Sequence, residues 1–211
     1  MIGALAMSLA APPHDVWPVG LVAWVPLAVV ATSGTVLRTA LVGWLQGTTA
    51  QAAVLASLPS AVHVGAGTPM PAALGLAAVV VLIEGGRSGA IGLLAALGTR
   101  NGWPTCIAFP LSLAAAESFY PMLFPWSTWL LFQGAPVLLQ GAEFGGAPAI
   151  SLWAGFLDAA LATAWRGREE RRAVVIYGVL APIATLGIVV VGGALRMHTT
   201  EALEDAARGL R

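Results

Sequence analysis

Residues 70–98 read MPAALGLAAVVVLIEGGRSGAIGLLAALG. Only two of these side chains are charged, Glu84 and Arg87, and the run is longer than the roughly 20 apolar residues that a helix needs to cross a bilayer core. The 211-residue chain as a whole has 58% hydrophobic and 9% charged residues. Because soluble proteins carry roughly 25% charged residues, which cover their surface, the sequence predicts a membrane protein.

When the chain is divided into apolar stretches of the length of a spanning helix, the sequence predicts an all-α fold. The predicted fold is a polytopic transmembrane helix bundle with six full spans plus a short first helix. The predicted spans lie at about 17–36, 40–62, 70–98, 103–122, 146–165 and 173–195. Residues 1–11 are too short to span; they are either the outer half of a first helix or a half-inserted segment. We predict one transmembrane domain, residues 1–195, followed by an amphipathic tail or truncated linker at 196–211.

Arginine placement predicts the orientation of these spans. Six arginines fall on one side of the predicted bundle: Arg38, Arg100, Arg166, Arg168, Arg171 and Arg172. Three fall on the other side, all after the last predicted span: Arg196, Arg208 and Arg211. Because cytoplasmic loops are enriched in arginine and lysine, we expect the six on the cytoplasmic face. Residues 123–145 and the tail are then expected on the outer face.

The residue types exclude several functions. A formal net charge of zero gives no sign of a nucleic-acid partner. The chain has no lysine and one cysteine, Cys106, so it cannot form an internal disulfide or a lysine-dependent site. His14 and His63 lie in different outer loops without an acidic cluster, so we expect no metal and no cofactor. Residues 86–89 (GRSG) match the GxSG motif of rhomboid proteases, but the only later histidine, His198, lies beyond the last predicted span. We therefore predict no catalytic residue.

Charged residues within the predicted spans are expected to face protein or water, since each costs about 3 kcal/mol at mid-membrane. Glu84 and Arg87, three residues apart, could form a local ion pair. Arg87 and Glu117 both lie about 20 Å from the cytoplasmic ends of consecutive antiparallel spans, so we predict that they approach one another. Asp158, midway along span 146–165, is expected to be paired, hydrated or protonated.

Residues 123–145 are the least ordinary part of the outer face. Pro125 lacks an amide hydrogen and restricts Phe124, so it breaks the preceding helix. Residues 126–133 (WSTWLLFQ) are apolar enough to lie in the membrane interface. Such a long apolar and aromatic loop indicates either a rim that contacts lipid or a re-entrant segment that plugs the bundle.

Several short motifs occur in one order along nearly the whole chain. They are PHDVWP at 13–18, WVPL at 24–27, GWLQG at 43–47, the loop from His63 through Gly67 to Pro69, Glu117, FPW at 124–126, Gln140, Glu143, Gly145 and Ser151. Together they resemble the membrane part of bacterial apolipoprotein N-acyltransferases. That family transfers an acyl chain from a phospholipid to the N-terminal, diacylglyceryl-modified cysteine of a lipoprotein. Its membrane helices hold the lipid substrates, and an outward nitrilase-like domain carries a Glu-Lys-Cys triad.

The resemblance implies a role in lipoprotein biosynthesis, a multi-pass location in the bacterial inner (cytoplasmic) membrane and a periplasmic tail. Its expected partners are phospholipid and lipoprotein. Glu117, Pro125 and Trp126 are carried over as residues that face lipid or substrate. The family's Glu-x-x-Arg is Glu117-Ser118-Phe119-Tyr120 here, and Arg87 is expected to replace the missing arginine.

The resemblance also leads us to expect a chain that is not catalytic alone. The sequence ends at Arg211, where the nitrilase-like domain is expected to begin, and it lacks the triad lysine. Either a separate nitrilase-like chain supplies catalysis or the gene product is truncated. Two alternatives stay open: a small transporter or channel and a non-catalytic membrane scaffold. The transporter would use four charges as a polar path: Glu84, Arg87, Glu117 and Asp158.

Overall fold

The computed structural model describes residues 1–124, 126–166, 184, 187 and 190–200, with the side chains of 141 and 144 excepted. These residues form helices and no strand, so the all-α prediction is confirmed for them. The α-helices are α1 Ile2–Ala10, α2 Trp17–Gly20, α3 Val25–Ala31, α4 Val36–Val54, α5 Leu58–Ala66, α6 Met70–Arg100, α7 Thr105–Phe119, α8 Pro136–Leu139 and α9 Gly146–Arg166. Two 3-10 helices, Thr128–Phe132 and Gln140–Phe144, flank α8, and residues 190–200 are also helical.

Among the described residues, two helices, α6 and α9, are long and apolar enough to cross a membrane. The prediction of six full spans is therefore not confirmed. Predicted span 17–36 is divided into α2 and α3, and span 40–62 into α4 and α5. A proline stands in the first turn of the helix after each break, Pro26 in α3 and Pro59 in α5. Because proline has no amide hydrogen to donate to a preceding turn, the longer helix ends there.

The other predicted spans have different outcomes. Span 103–122 is shortened to α7, whose 15 residues end at Phe119, two residues before Pro121. At 1.5 Å per residue α7 is about 22 Å long, which is less than a bilayer core. Span 173–195 lies largely outside the described residues, as does most of the tail.

The most extensive helix contact joins α4 and α6. Gly43 and Gly47, one helical turn apart on α4, both lie against Ser88 of α6. A Cβ placed on Gly47 would lie 2.6 Å from the Ser88 Cβ, so no larger residue fits without movement. Small residues at this spacing allow membrane helices to approach closely and gain packing contacts.

The segment between α7 and α9, residues 120–145, packs partly into the bundle. We call it the α7–α9 connection. Its first 3-10 helix contacts α1, α2 and α9, and its Phe132 ring lies edge-on to Trp153 of α9 with the ring centroids 5.4 Å apart. Leu131 and Phe132 are buried. The connection therefore has an interior part at Leu131 and Phe132, as expected of a plug, and an exposed part at Leu123, as expected of a rim.

Candidate functional site

A buried ion pair joins α6 to α7. Arg87 Nη1 lies 4.0 Å from Glu117 Oε1, and the two side chains are 7% and 2% exposed. The predicted approach of these residues is therefore confirmed. It follows from their equal depth on consecutive antiparallel helices, because each residue advances a helix by the same 1.5 Å.

Glu117 also joins three elements through hydrogen bonds. Its Oε1 accepts from the Thr128 amide at 2.8 Å and from the Thr128 hydroxyl at 2.6 Å. Its Oε2 accepts from the Ser151 hydroxyl on α9. The carboxylate thus links α7, the first 3-10 helix and α9, which leaves it inside the bundle. Thr128 was missed by sequence reasoning, because a hydroxyl residue in a loop carries no local signal of its partner.

Glu84 binds the backbone of the same connection. Its Oε1 accepts from the amides of Leu123 at 2.6 Å and Phe124 at 3.1 Å. Beside it, the Tyr120 hydroxyl donates to the Ile83 carbonyl at 2.7 Å. Non-helical backbone at membrane depth must find partners within the protein, and Glu84 supplies them here.

The prediction of a local ion pair between Glu84 and Arg87 is wrong. Within the part of the chain that the structure describes, Arg87 pairs with Glu117 and Glu84 makes no ion pair. Glu84 is not paired with Arg87 because the amides of the α7–α9 connection occupy its Oε1 oxygen. Its other oxygen, Oε2, is buried without a hydrogen-bond partner among the described residues.

A cavity of about 40 Å³ lies beside the ion pair. Its lining comes from α1, α3, α4, α6 and the α7–α9 connection and comprises Met7, Ala11, Trp24, Gly47, Ala50, Gln51, Val54, Arg87, Ser88, Trp126, Ser127, Thr128, Leu130 and Leu131. Three of these residues have a buried polar atom with no hydrogen-bond partner in the described structure: Arg87 Nε, Gln51 Oε1 and Trp24 Nε1. The space exceeds the roughly 10–15 Å³ that one water occupies by this measure.

The structure describes two of the three residues expected to face lipid or substrate. Trp126 is half-buried and lines the cavity. Glu117 is 6% exposed and lies behind Thr128, in the bundle interior. Pro125 lies outside the described residues.

Asp158 lies apart from this cluster, on α9. It is fully buried, and neither carboxylate oxygen has a hydrogen-bond partner among the described residues. The backbone amides of Trp24 and Val25, at the start of α3, lie near the Asp158 carboxylate but outside hydrogen-bonding geometry. The three residues expected to be polar within the membrane, Glu84, Arg87 and Asp158, are thus all buried, but only the first two belong to one site.

The carboxylate and the thiol of α7 are held near its two ends. The Glu117 carboxylate is engaged as an acceptor, and the half-buried Cys106 lies at the opposite end of α7. Among the described residues, no group of three or more His, Cys, Asp or Glu side chains is placed to hold a metal ion.

A family model matches most of the chain. The model is described as the apolipoprotein N-acyltransferase N-terminal domain, and it covers residues 3–160. The match includes both helices of the ion pair, the whole α7–α9 connection and the cavity lining. Among curated proteins, none matches this chain.

Proposed function

Because the chain belongs to the family of the apolipoprotein N-acyltransferase N-terminal domain, we propose that it holds phospholipid and lipoprotein for N-acylation of the lipoprotein's N-terminal cysteine. It works as a multi-pass protein of the bacterial inner membrane, with residues 196–211 on the periplasmic side. The reacting groups come from a nitrilase-like catalytic domain outside residues 1–211, since these residues contain no lysine for a Glu-Lys-Cys triad.

The family match carries this proposal, and the geometry of the α7–α9 connection supports it. Leu123 in the connection and Phe119 at the end of α7 are exposed, whereas Trp126 lines the cavity. The outer surface where α7 meets the connection is therefore apolar, with a polar cluster behind it. An acylated lipid needs both kinds of surface, because its chains are apolar and its ester groups accept hydrogen bonds.

The buried charges give less support to a transporter. Two of the four, Arg87 and Glu117, are paired with each other, and Glu84 holds backbone amides. Asp158 lies at a separate place on α9. A polar path needs charged groups along a common water-filled route, whereas these groups hold helices and a loop in place.

The proposal is tested by photo-crosslinking of the full chain in bilayer nanodiscs. The probe is a phosphatidylethanolamine with a diazirine on one acyl chain, and labelled peptides are identified by mass spectrometry. We expect labelling within residues 120–145 that falls severalfold in Trp126→Ala. The matched control, Trp165→Ala, removes a highly exposed tryptophan at the opposite end of the bundle and should leave that labelling unchanged.

Two results would contradict the proposal. One is uniform labelling of the exposed face of α6 with none in the α7–α9 connection. The other is transfer of the acyl chain to a diacylglyceryl-cysteine peptide by the isolated chain, because the reacting groups would then lie within residues 1–211.

A further inference from the structure

Three polar side chains that line the cavity each have one buried atom without a hydrogen-bond partner among the described residues. They are Arg87 on α6, Gln51 on α4 and Trp24 at the start of α3, and each is at most 6% exposed. Buried polar atoms are almost always hydrogen-bonded. Three exceptions around one cavity, contributed by three separate elements, indicate a binding site for a polar group.

The unpaired atoms favour a ligand that accepts hydrogen bonds. Arg87 Nε and Trp24 Nε1 are donors only. The Gln51 amide contributes a donor or an acceptor, because its oxygen and nitrogen exchange places by a half-turn of the amide group. A carbonyl oxygen, which accepts two hydrogen bonds, matches any two of these three groups, and the adaptable amide can serve as one of them.

The local charges exclude an anionic ligand. The positive charge of Arg87 is already balanced by Glu117, and the Glu84 carboxylate lies one helical turn away on the same helix as Arg87. A phosphate here would add negative charge beside two buried carboxylates, which like-charge repulsion disfavours. The ligand group is therefore neutral.

The size and walls of the cavity define the rest of the ligand. The cavity, about 40 Å³ by the measure in which one water needs roughly 10–15 Å³, has room for a small polar group. Apolar side chains complete the wall, including Met7, Val54 and Leu131. A neutral carbonyl attached to an alkyl chain satisfies both the donors and these walls.

We infer that this cavity binds the ester carbonyl of an acyl chain, with Arg87 and Trp24 as hydrogen-bond donors and Gln51 as an adaptable third partner. The inference rests on the proposed function, which makes acylated lipids the substrates. The ester belongs to the phospholipid donor or to the diacylglyceryl group of the lipoprotein, since both present the same chemistry.

The test compares ester lipids with ether lipids, which keep the chains and headgroup but lack the carbonyl oxygens. Binding of diacyl and dialkyl phosphatidylethanolamine to the full chain is measured by native mass spectrometry in detergent. We expect the ester lipid to bind about tenfold more tightly, since a hydrogen bond from a charged donor contributes roughly that factor. A second arm compares a diacylglyceryl-cysteine peptide with its dialkyl analogue, and the arm that shows the preference identifies the source of the ester.

A variant assigns the preference to this cavity. Gln51→Leu leaves the Arg87–Glu117 ion pair in place, and we expect it to reduce the preference for ester about threefold, as for loss of one neutral hydrogen bond. The matched control is Gln133→Leu, because Gln133 is exposed and does not line the cavity. A preference that is unchanged in Gln51→Leu would overturn the assignment.

The wild-type comparison needs no variant and separates the two proposals. Equal binding of ester and ether lipids in both arms would overturn the inference and mean that water fills the cavity. The proposed function would still stand. Absence of binding in both arms would overturn both proposals.

Discussion

The α4–α6 contact and the α7–α9 connection are stabilised in opposite ways. Along α4 and α6 the backbone is helical and satisfies its own hydrogen bonds, so glycines bring the helices together, and the Trp44 side chain donates across the contact to the Leu82 carbonyl at 3.2 Å. In the connection the backbone is irregular, and the carboxylates of Glu84 and Glu117 accept its amide hydrogens. The comparison shows that these two carboxylates lie beside irregular backbone, because the amides there need acceptors from elsewhere.

The largest effect is expected from Glu117→Leu. This change removes the acceptor of Thr128 and leaves Arg87 buried without its counter-charge, so we expect a loss of about 3–5 kcal/mol in the free energy of unfolding. Denaturant unfolding in detergent measures it. The control is Glu143→Leu, whose exposed ion pair with Arg196 contributes about 0–1 kcal/mol. Equal losses in the two variants would show that the connection does not depend on Glu117.

Exchanging the charges separates ion pairing from hydrogen bonding. In the double variant Arg87→Glu with Glu117→Arg, an arginine replaces the acceptor that serves Thr128 and Ser151. We expect the double variant to be as unstable as Glu117→Leu, because the Thr128 amide would lose its acceptor and face an arginine, which only donates. Recovery of wild-type stability in the same unfolding measurement would mean that charge pairing alone holds the site.

A smaller effect is expected from crowding the α4–α6 contact. Gly47→Ala places a Cβ 2.6 Å from the Ser88 Cβ, and overpacking of this kind costs about 1–3 kcal/mol. The control is Gly75→Ala on α6, where nothing lies within 4 Å of the added atom. Since alanine favours helix over glycine, Gly75→Ala should be neutral or slightly stabilising in thermal unfolding. A stable Gly47→Ala protein would indicate a looser contact than the structure has.

The smallest effect is expected from Tyr120→Phe. Loss of the hydrogen bond to the Ile83 carbonyl should cost about 1 kcal/mol and speed amide hydrogen exchange in residues 120–124 severalfold. The control is Ser118→Ala, which removes a hydroxyl bonded only within its own helix, to the Ala114 carbonyl. If exchange rises equally in both variants, Tyr120 does not hold the connection to α6.

Predictions from regular geometry succeeded where the backbone is regular. The Arg87–Glu117 pair was predictable because both residues lie on continuous helices, where counting residues measures depth. The same counting failed for spans 17–36 and 40–62, because hydropathy does not distinguish one long helix from two short ones separated by a proline-led turn.

Composition and helix geometry by themselves determined an apolar all-α protein and the equal depth of Arg87 and Glu117, and the short sequence motifs carried the family resemblance. Only the tertiary structure decided that Glu84 binds the amides of residues 123 and 124 rather than Arg87, and that Glu117 meets Thr128 and Ser151. The reason is physical. Helix geometry repeats with every residue and can be counted along the chain, whereas the partners of an irregular backbone depend on how distant elements pack.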